Sequence, residues 1–376
     1  MLPQPPLWLV LIAFVCALGP LVFFHELGHY LVARLFGIPA ETFSIGFGRE
    51  LAGWSDRQGT RWKLAWIPLG GYVKFVGDMS PASNPGELED IPEDLREHAF
   101  QLRPVWQRFL VVLAGPVANF ILAIAIFAAL FAIVGKPHSP NVIESVRAGT
   151  PAAQARLQPG DRIDAVAGRS VSSFEEIQRI VTIRPGESVT LTINRKGQEL
   201  NVPVTLGVQT EHDRFGQVYR VGMLGIMQTH IVTERVPPLE LVPVATGYTV
   251  EIVRTMVEGI SQIVSGRRGT EDVGGPIKIA QIAGQQASLG ALPFVQLLAL
   301  FSINLGFINL LPVPMLDGGH LFFYGVEAIR RRPLSARALE WAFRGGLAVI
   351  LALVLFTTIN DLGSLGLWDR LQRLIG

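Results

Sequence analysis

Long stretches with almost no charge decide what this chain can fold into. Nothing is charged from Met1 to Phe24, between Arg108 and Lys136, or between Lys278 and Asp317, and Trp341 to Asn360 carries only Arg344. A run of this length and apolarity is stable when its backbone hydrogen bonds close within a helix that crosses a bilayer. Spans are therefore predicted at roughly 7–31, 109–135, 291–311 and 341–360. In the last, Glu340, Arg344 and Asp361 can snorkel to the interface. The first stretch lacks the basic start and small-residue cleavage site of a signal peptide, so it reads as a retained span. Composition agrees: 49% of residues are hydrophobic and 17% charged, too apolar for an ordinary soluble enzyme. A net charge of +1 with no long basic run argues against a nucleic-acid partner. A single cysteine, Cys16, excludes an internal disulfide or a cysteine-rich metal site.

The arginines orient the spans. Arg34, Arg103 and Arg108 flank the loop between spans one and two, and Arg330, Arg331, Arg332 and Arg337 fill the loop between spans three and four. Between spans two and three only Lys136 lies near a membrane boundary. The arginine-rich loops are expected in the cytoplasm, with the amino terminus and the middle of the chain outside.

Four segments between the spans have characters of their own. The part from Pro137 to Leu206 alternates β-rich runs, Val189–Ile193 and Leu200–Leu206, with Gly and Pro punctuation and one helical pattern at 173–183. From Leu239 to Val264, Glu251, Arg254 and Glu258 share one helical face opposite Ile252, Val253, Met256, Val257 and Ile260, which suits the membrane surface or packing against a span. The loop from Phe43 to Gly77 is apolar, aromatic and glycine-punctuated, and is expected to form β-hairpins dipping toward the membrane. The acidic run from Pro81 to Glu97 reads as a solvated linker.

Chemistry enters at His25-Glu26-Leu27-Gly28-His29. On a helix, positions i and i+4 stack, so both imidazoles can reach one metal while Glu26 takes a proton from the attacking water. The bland alternative is a pair of interfacial histidines. Three ionisable residues at the end of a span are costly without a function, which favours the metal. A catalytic zinc needs a third protein ligand and one open position. Asp317 is the first charged residue after Lys278 and follows Pro312 and Pro314, which interrupt a regular helix there. The predicted topology brings His25, His29 and Asp317 to one depth near the cytoplasmic side. The alternatives for Asp317 are a helix cap before a turn at Gly318-Gly319, and replacement as ligand by His320.

These residues carry a resemblance. His25-Glu-Leu-Gly-His29, Gly115-Pro-Val-Ala-Asn119 and Asn309-x-x-Pro-x-Pro-x-Leu-Asp317-Gly-Gly stand in the order found in site-2 proteases, the intramembrane zinc metalloproteases that include the regulator of sigma-E proteases. The middle segment resembles a PDZ domain through Val142–Val146, Gly149–Ala153 and Leu157–Ile163. The resemblance implies zinc at His25, His29 and Asp317 in preference to His320, Glu26 as the base, and Asn119, Asn304 and Asn309 on the substrate backbone or the developing oxyanion. Interhelical hydrogen bonding is the alternative for the asparagines. The best-known proteobacterial members have two PDZ domains in tandem, and this chain has room for one.

The expected protein is thus a polytopic α-helical membrane protein of about four spans, with a membrane-associated β-hairpin region and an inserted β-rich PDZ-like domain. Its parts are residues 1–36 (first span), 37–103 (hairpin loop), 104–136 (second span), 137–207 (PDZ-like), 208–278 (β extension and amphipathic helix), 279–320 (third span), 321–340 (cytoplasmic loop) and 341–376 (fourth span and tail). The expected function is cleavage of membrane-spanning substrate segments in the bacterial cytoplasmic membrane, in regulated intramembrane proteolysis of an anti-sigma factor or of remnant signal peptides. The PDZ-like domain, expected outside, would contact substrate or a regulator or exclude bulky substrates. Gly70, Gly71, Tyr72, Val73 and Lys74 are expected to receive an unwound substrate as an added strand. A metal transporter and a catalytically silent PDZ scaffold are the competing classes. The first leaves Glu26 without a role, and intact His25, Glu26, His29 and Asp317 argue against the second.

Overall fold

The computed structural model describes residues 5–77, 99–212, 218–228, 230, 232–264 and 275–364; the acidic run 81–97 lies outside them. The first apolar stretch forms helix α1 (Leu7–Leu35) and the second forms α2 (Val105–Ile133), each of 29 residues. At 1.5 Å per residue that is about 44 Å, enough to cross the hydrocarbon core with turns to spare. Pro20 and Pro116 sit inside them, as neighbouring helices in a membrane permit. The helices close on each other at Gly28, where a Cβ would overlap the Ala114 carbonyl and the Ala118 methyl. Small residues at such a crossing are what packing in lipid requires.

Strands β1 (Ala40–Ser55) and β2 (Arg61–Phe75) follow α1. Each is bent, and Gly46, Gly48 and Gly70 adopt positive φ at the bends. The register pairs Thr42–Ile45 with Gly71–Lys74 on one side and with Arg61–Leu64 on the other, while Glu50–Ser55 pairs with Arg61–Ala65. Two strands thus supply four arms, in the order 71–75, 40–45, 61–65, 50–55. The arm Gly71–Phe75 lies at an edge, and among the described residues no strand pairs with its outer side. The sheet is fixed to α1 by Tyr30, which donates to Asp56 (3.1 Å) and packs edge-on against Phe43 and Trp62.

The chain divides into two compact units, one of Met1–Ala128, Ala245–Val253 and Glu271–Gly376, the other of Ala129–Val244 and Arg254–Thr270. The second unit holds β3 (Lys136–His138), β4 (Ser145–Val146), helix α3 (Pro151–Gln154), β5 (Arg162–Val166), β6 (Arg169–Ser170), helix α4 (Phe174–Thr182), β7 (Ser188–Arg195) and β8 (Gln198–Thr205). A four-stranded sheet runs β6-β5-β7-β8 over a core of Ile143, Leu157, Ile163, Ile177, Leu191 and Ile193. Ser173 caps α4 by accepting from the Glu176 amide, and Glu175 and Glu176 favour its positive end. The Asp161 carboxylate, 1% exposed, accepts from both Nε and Nη2 of Arg195 and from the Gln158 amide. Burial pushes that carboxyl up, and the Arg195 guanidinium and the amide outweigh it and hold it below the usual range.

This unit does not end at residue 207, where the sequence reading placed its boundary. After β9 (Gly207–His212) and β10 (Val218–Met223), β11 (Ile226–Met227) pairs with β4, and β12 (Val232–Glu234) pairs with β3. Leu224 is buried in the same core. Closing strands from 226 onward complete the edge that Ser145–Val146 opens.

Helix α5 (Leu241–Val264) is the amphipathic segment. The uncharged stretch 279–316 is not one helix: α6 (Pro276–Leu289) stops at Gly290, α7 (Ala291–Asn309) follows, and residues 310–316 are irregular before α8 (Asp317–Arg330). Gly290 has φ +121°, a conformation open to glycine and costly for other residues. The block 279–320 is therefore divided, and its membrane-length part α7 matches the span expected at 291–311. Helix α9 (Ala336–Ser364) ends the described chain. Helices α1, α2, α7 and residues Arg337–Ile359 of α9 are each long and apolar enough to cross a membrane.

Candidate active site

Helix α1 carries His25 and His29 one turn apart, both buried, with ring centroids 4.8 Å from each other and planes near perpendicular. The Nε2 atoms are 3.2 Å apart. Asp317 reaches the same point from the first residue of α8: its Oδ2 stands 3.1 Å from His25 Nε2 and 3.5 Å from His29 Nε2. It gets there because the proline-containing segment 310–316 ends α7 and reverses into α8. Gly318 and Gly319 continue that helix instead of forming a turn, packed so closely on the 310–314 backbone that a Cβ at either would overlap it.

These residues fit a zinc ion. Ligands held tetrahedrally at 2.0–2.1 Å stand about 3.3 Å apart, and the three separations here are 3.1, 3.2 and 3.5 Å. Asp317 Oδ2 is buried with no hydrogen-bond partner. Buried acceptors left facing one another are costly, and a cation among them resolves that cost.

The supporting contacts come from α2. His29 Nδ1 donates to the Val111 carbonyl at 2.9 Å, which leaves its Nε2 lone pair toward Asp317. Four residues on, a Cβ at Gly115 would overlap the His29 imidazole itself. Four further on, Asn119 places its side-chain amide 3.1 Å from His25 Nδ1. One stripe of α2 thus backs both histidines.

A cavity of about 270 Å³ opens on this cluster, lined by Val22, His25, Glu26, His29, Gly70, Gly71, Tyr72, Val73, Asn309, Met315, Asp317 and His320 among others. Glu26 lines it without joining the three-ligand cluster. The edge arm of β2 runs beside it: a Cβ on Gly71 would crowd Val22 and the Glu26 side chain, and the Val73 amide faces the Glu26 carboxylate.

The structure separates residues that the sequence grouped. Gly70, Gly71, Tyr72, Val73 and Asn309 line the cavity. Lys74 does not, and its ammonium pairs with Glu41 at 2.7 Å. Asn304 is half-buried on α7, away from the lining. Asn119 is fully buried behind His25. His320 lines the cavity but stacks toward Phe343, with ring centroids 5.2 Å apart, and lies outside the ligand cluster. Sequence reasoning did not find the Val111 carbonyl, the close approach at Gly115, or the half-buried Arg108–Glu327 pair (2.7 Å) that ties the start of α2 to α8. The four-residue interval Val111, Gly115, Asn119 in an uncharged helix was the available signal for the first two.

Comparison with known proteins gives the family. Residues 13–353 match peptidase family M50. A protein named as a zinc metalloprotease in Agrobacterium fabrum is 45% identical over 94% of this chain and 96% of its own. Another so named in Mesorhizobium japonicum is 43% identical over 94% and 98%. Among solved structures, the PDZ domain of the SdrC-like protein of Listeria innocua matches 25% of this chain and 99% of its own at 23% identity and a TM-score of 0.20. The chain belongs to peptidase family M50, the site-2 proteases, and is a multi-pass membrane zinc metalloprotease.

Proposed function

We propose that this protease cuts the membrane-spanning segments of substrate proteins, with zinc on His25, His29 and Asp317 and Glu26 as the base. The observation that carries the reading is the edge arm Gly71–Phe75 lying along the cavity that holds the ligand cluster. Zinc, when bound, supplies Lewis acidity that polarises the scissile carbonyl and makes the attacking water more acidic. Glu26 holds the proton taken from that water and delivers it to the leaving nitrogen. In this reading Asn309, which lines the cavity, donates to the substrate backbone.

A helical substrate hides its carbonyls in its own i→i−4 bonds and must unwind before it is cut. Each backbone group then left unpaired in hydrocarbon costs several kcal/mol. A strand added to the outer side of 71–75 gives those groups partners. Exposed Trp54, Trp66 and Leu51 on the same sheet support its lying against lipid. In the second unit, a cavity of about 730 Å³ between α4 and Leu224–Met227 supports contact with a substrate or regulator chain. The arginine distribution supports a cytoplasmic-side active site in a bacterial inner membrane, and regulated intramembrane proteolysis of an anti-sigma factor or of remnant signal peptides is the matching role.

Val73→Pro tests the strand. Its amide faces the Glu26 carboxylate, so proline there removes a donor from the edge arm and also that contact, and rescue by the substrate separates the two effects. Cleavage of a membrane-segment substrate should fall about 10- to 100-fold with zinc content unchanged, and helix-breaking residues in the substrate should restore part of it. Unchanged turnover by the zinc-loaded variant would rule out strand addition and leave the metal chemistry standing.

A further inference from the structure

An imidazole that gives its Nε2 lone pair to a metal carries its proton on Nδ1 and donates it to an acceptor there. For His29 that acceptor is the Val111 carbonyl. For His25 the group at Nδ1 is the Asn119 side-chain amide, with Nδ2 at 3.1 Å. Asn119 is 0% exposed, its Oδ1 is buried without a hydrogen-bond partner, and its backbone carbonyl is held by Ser302 Oγ at 2.7 Å.

The two ends of the amide exchange places by a half-turn about Cβ–Cγ, within the same footprint. With Nδ2 toward the ring, Nδ1 must accept, and the imidazole proton sits on Nε2, between the nitrogen and the metal position. With Oδ1 toward the ring, Nδ1–H donates, Oδ1 gains the partner it lacks, and the Nε2 lone pair faces His29 and Asp317. Only the second arrangement is compatible with coordination.

We propose that Asn119 is a positioning residue for the ligand His25: its Oδ1 accepts the Nδ1 proton and so fixes the tautomer and the ring plane, and it does not contact substrate. The inference rests on the zinc site described above. It gives the asparagine of the Gly115–Asn119 stripe a role that its burial permits, because a fully enclosed side chain has no face left for a peptide.

The test is zinc affinity of the full-length protein in detergent, read by competition with a metal indicator, alongside steady-state cleavage. Asn119→Leu keeps the volume and removes the acceptor, and should weaken zinc binding about 10- to 100-fold. Asn119→Asp restores an acceptor of the carboxylate–histidine–zinc kind and should hold zinc within about threefold of wild type or tighter. If Asn119→Leu binds zinc like wild type and shows only a raised KM, Asn119 serves substrate and the proposal is overturned. If folded Asn119→Asp loses as much affinity as the leucine variant, the acceptor role is equally overturned. Should the leucine variant not fold, the aspartate variant decides alone. Failure of the wild type itself to bind zinc would strike the metal reading, an outcome distinct from either.

Discussion

Glu26→Gln should lower cleavage of a membrane-segment substrate by about 10²- to 10⁴-fold, the range for losing a general base, while zinc content stays near one ion per chain. The separation of the two readouts follows from the site. Glu26 lines the cavity but stands outside the cluster formed by His25, His29 and Asp317. Glutamine keeps its size and its contact with the Val73 amide and cannot hold the proton. Metal analysis and turnover on the same purified sample decide it: parallel loss of zinc and activity would make Glu26 a ligand, and retained activity would remove it from the chemistry.

Gly115→Ala is expected to disable the metal site with a single methyl. The added carbon would overlap the His29 imidazole, whose other side is held by the Val111 carbonyl and Asp317. The ring cannot retreat without leaving the ligand position. Helix α2 itself should gain up to about 1 kcal/mol, since alanine is a better helix former than glycine. The defect should therefore appear in the metal and not in the fold. Zinc affinity and turnover should each drop on the order of 100-fold or more, because losing a group that only orients a ligand costs 10- to 100-fold and a displacement near 1 Å has a similar effect on rate. Indicator competition together with circular dichroism checks this. Normal zinc affinity in a helical Gly115→Ala protein would contradict the packing described here.

Much of the membrane architecture was legible because hydrocarbon tolerates few alternatives. Uncharged stretches of the right length found the spans, and HExxH at the end of one supplied two converging histidines. The arginines predict a topology with Asp317 at the depth of the two histidines, and the three side chains do cluster. The missed features share a physical cause. The Val111 carbonyl is a backbone group, and backbone acts without a side-chain signature. Gly115 was singled out only as part of the Gly115–Asn119 motif, and a glycine in a span is by itself read as easing helix packing in lipid. The four-armed sheet depends on bends at Gly46, Gly48 and Gly70, where register shifts break the alternation that sequence patterns rely on. The most apolar part of the third uncharged stretch, 291–311, coincides with α7 (Ala291–Asn309). The middle unit was cut short at 207 because Ile226–Met227 is too short to register as a strand alone.

The central claim is that peptide-bond cleavage occurs within a membrane-spanning segment and depends on the metal held by His25, His29 and Asp317. The direct measurement is mass-spectrometric mapping of the products that the purified full-length protein makes from a single-span substrate in lipid, with and without a zinc chelator. The account predicts termini inside the apolar segment, none in the presence of chelator or with Asp317→Ala, and their return for wild type when zinc is restored. Cleavage confined to flanking polar residues, or cleavage that persists after the metal is removed, would contradict it.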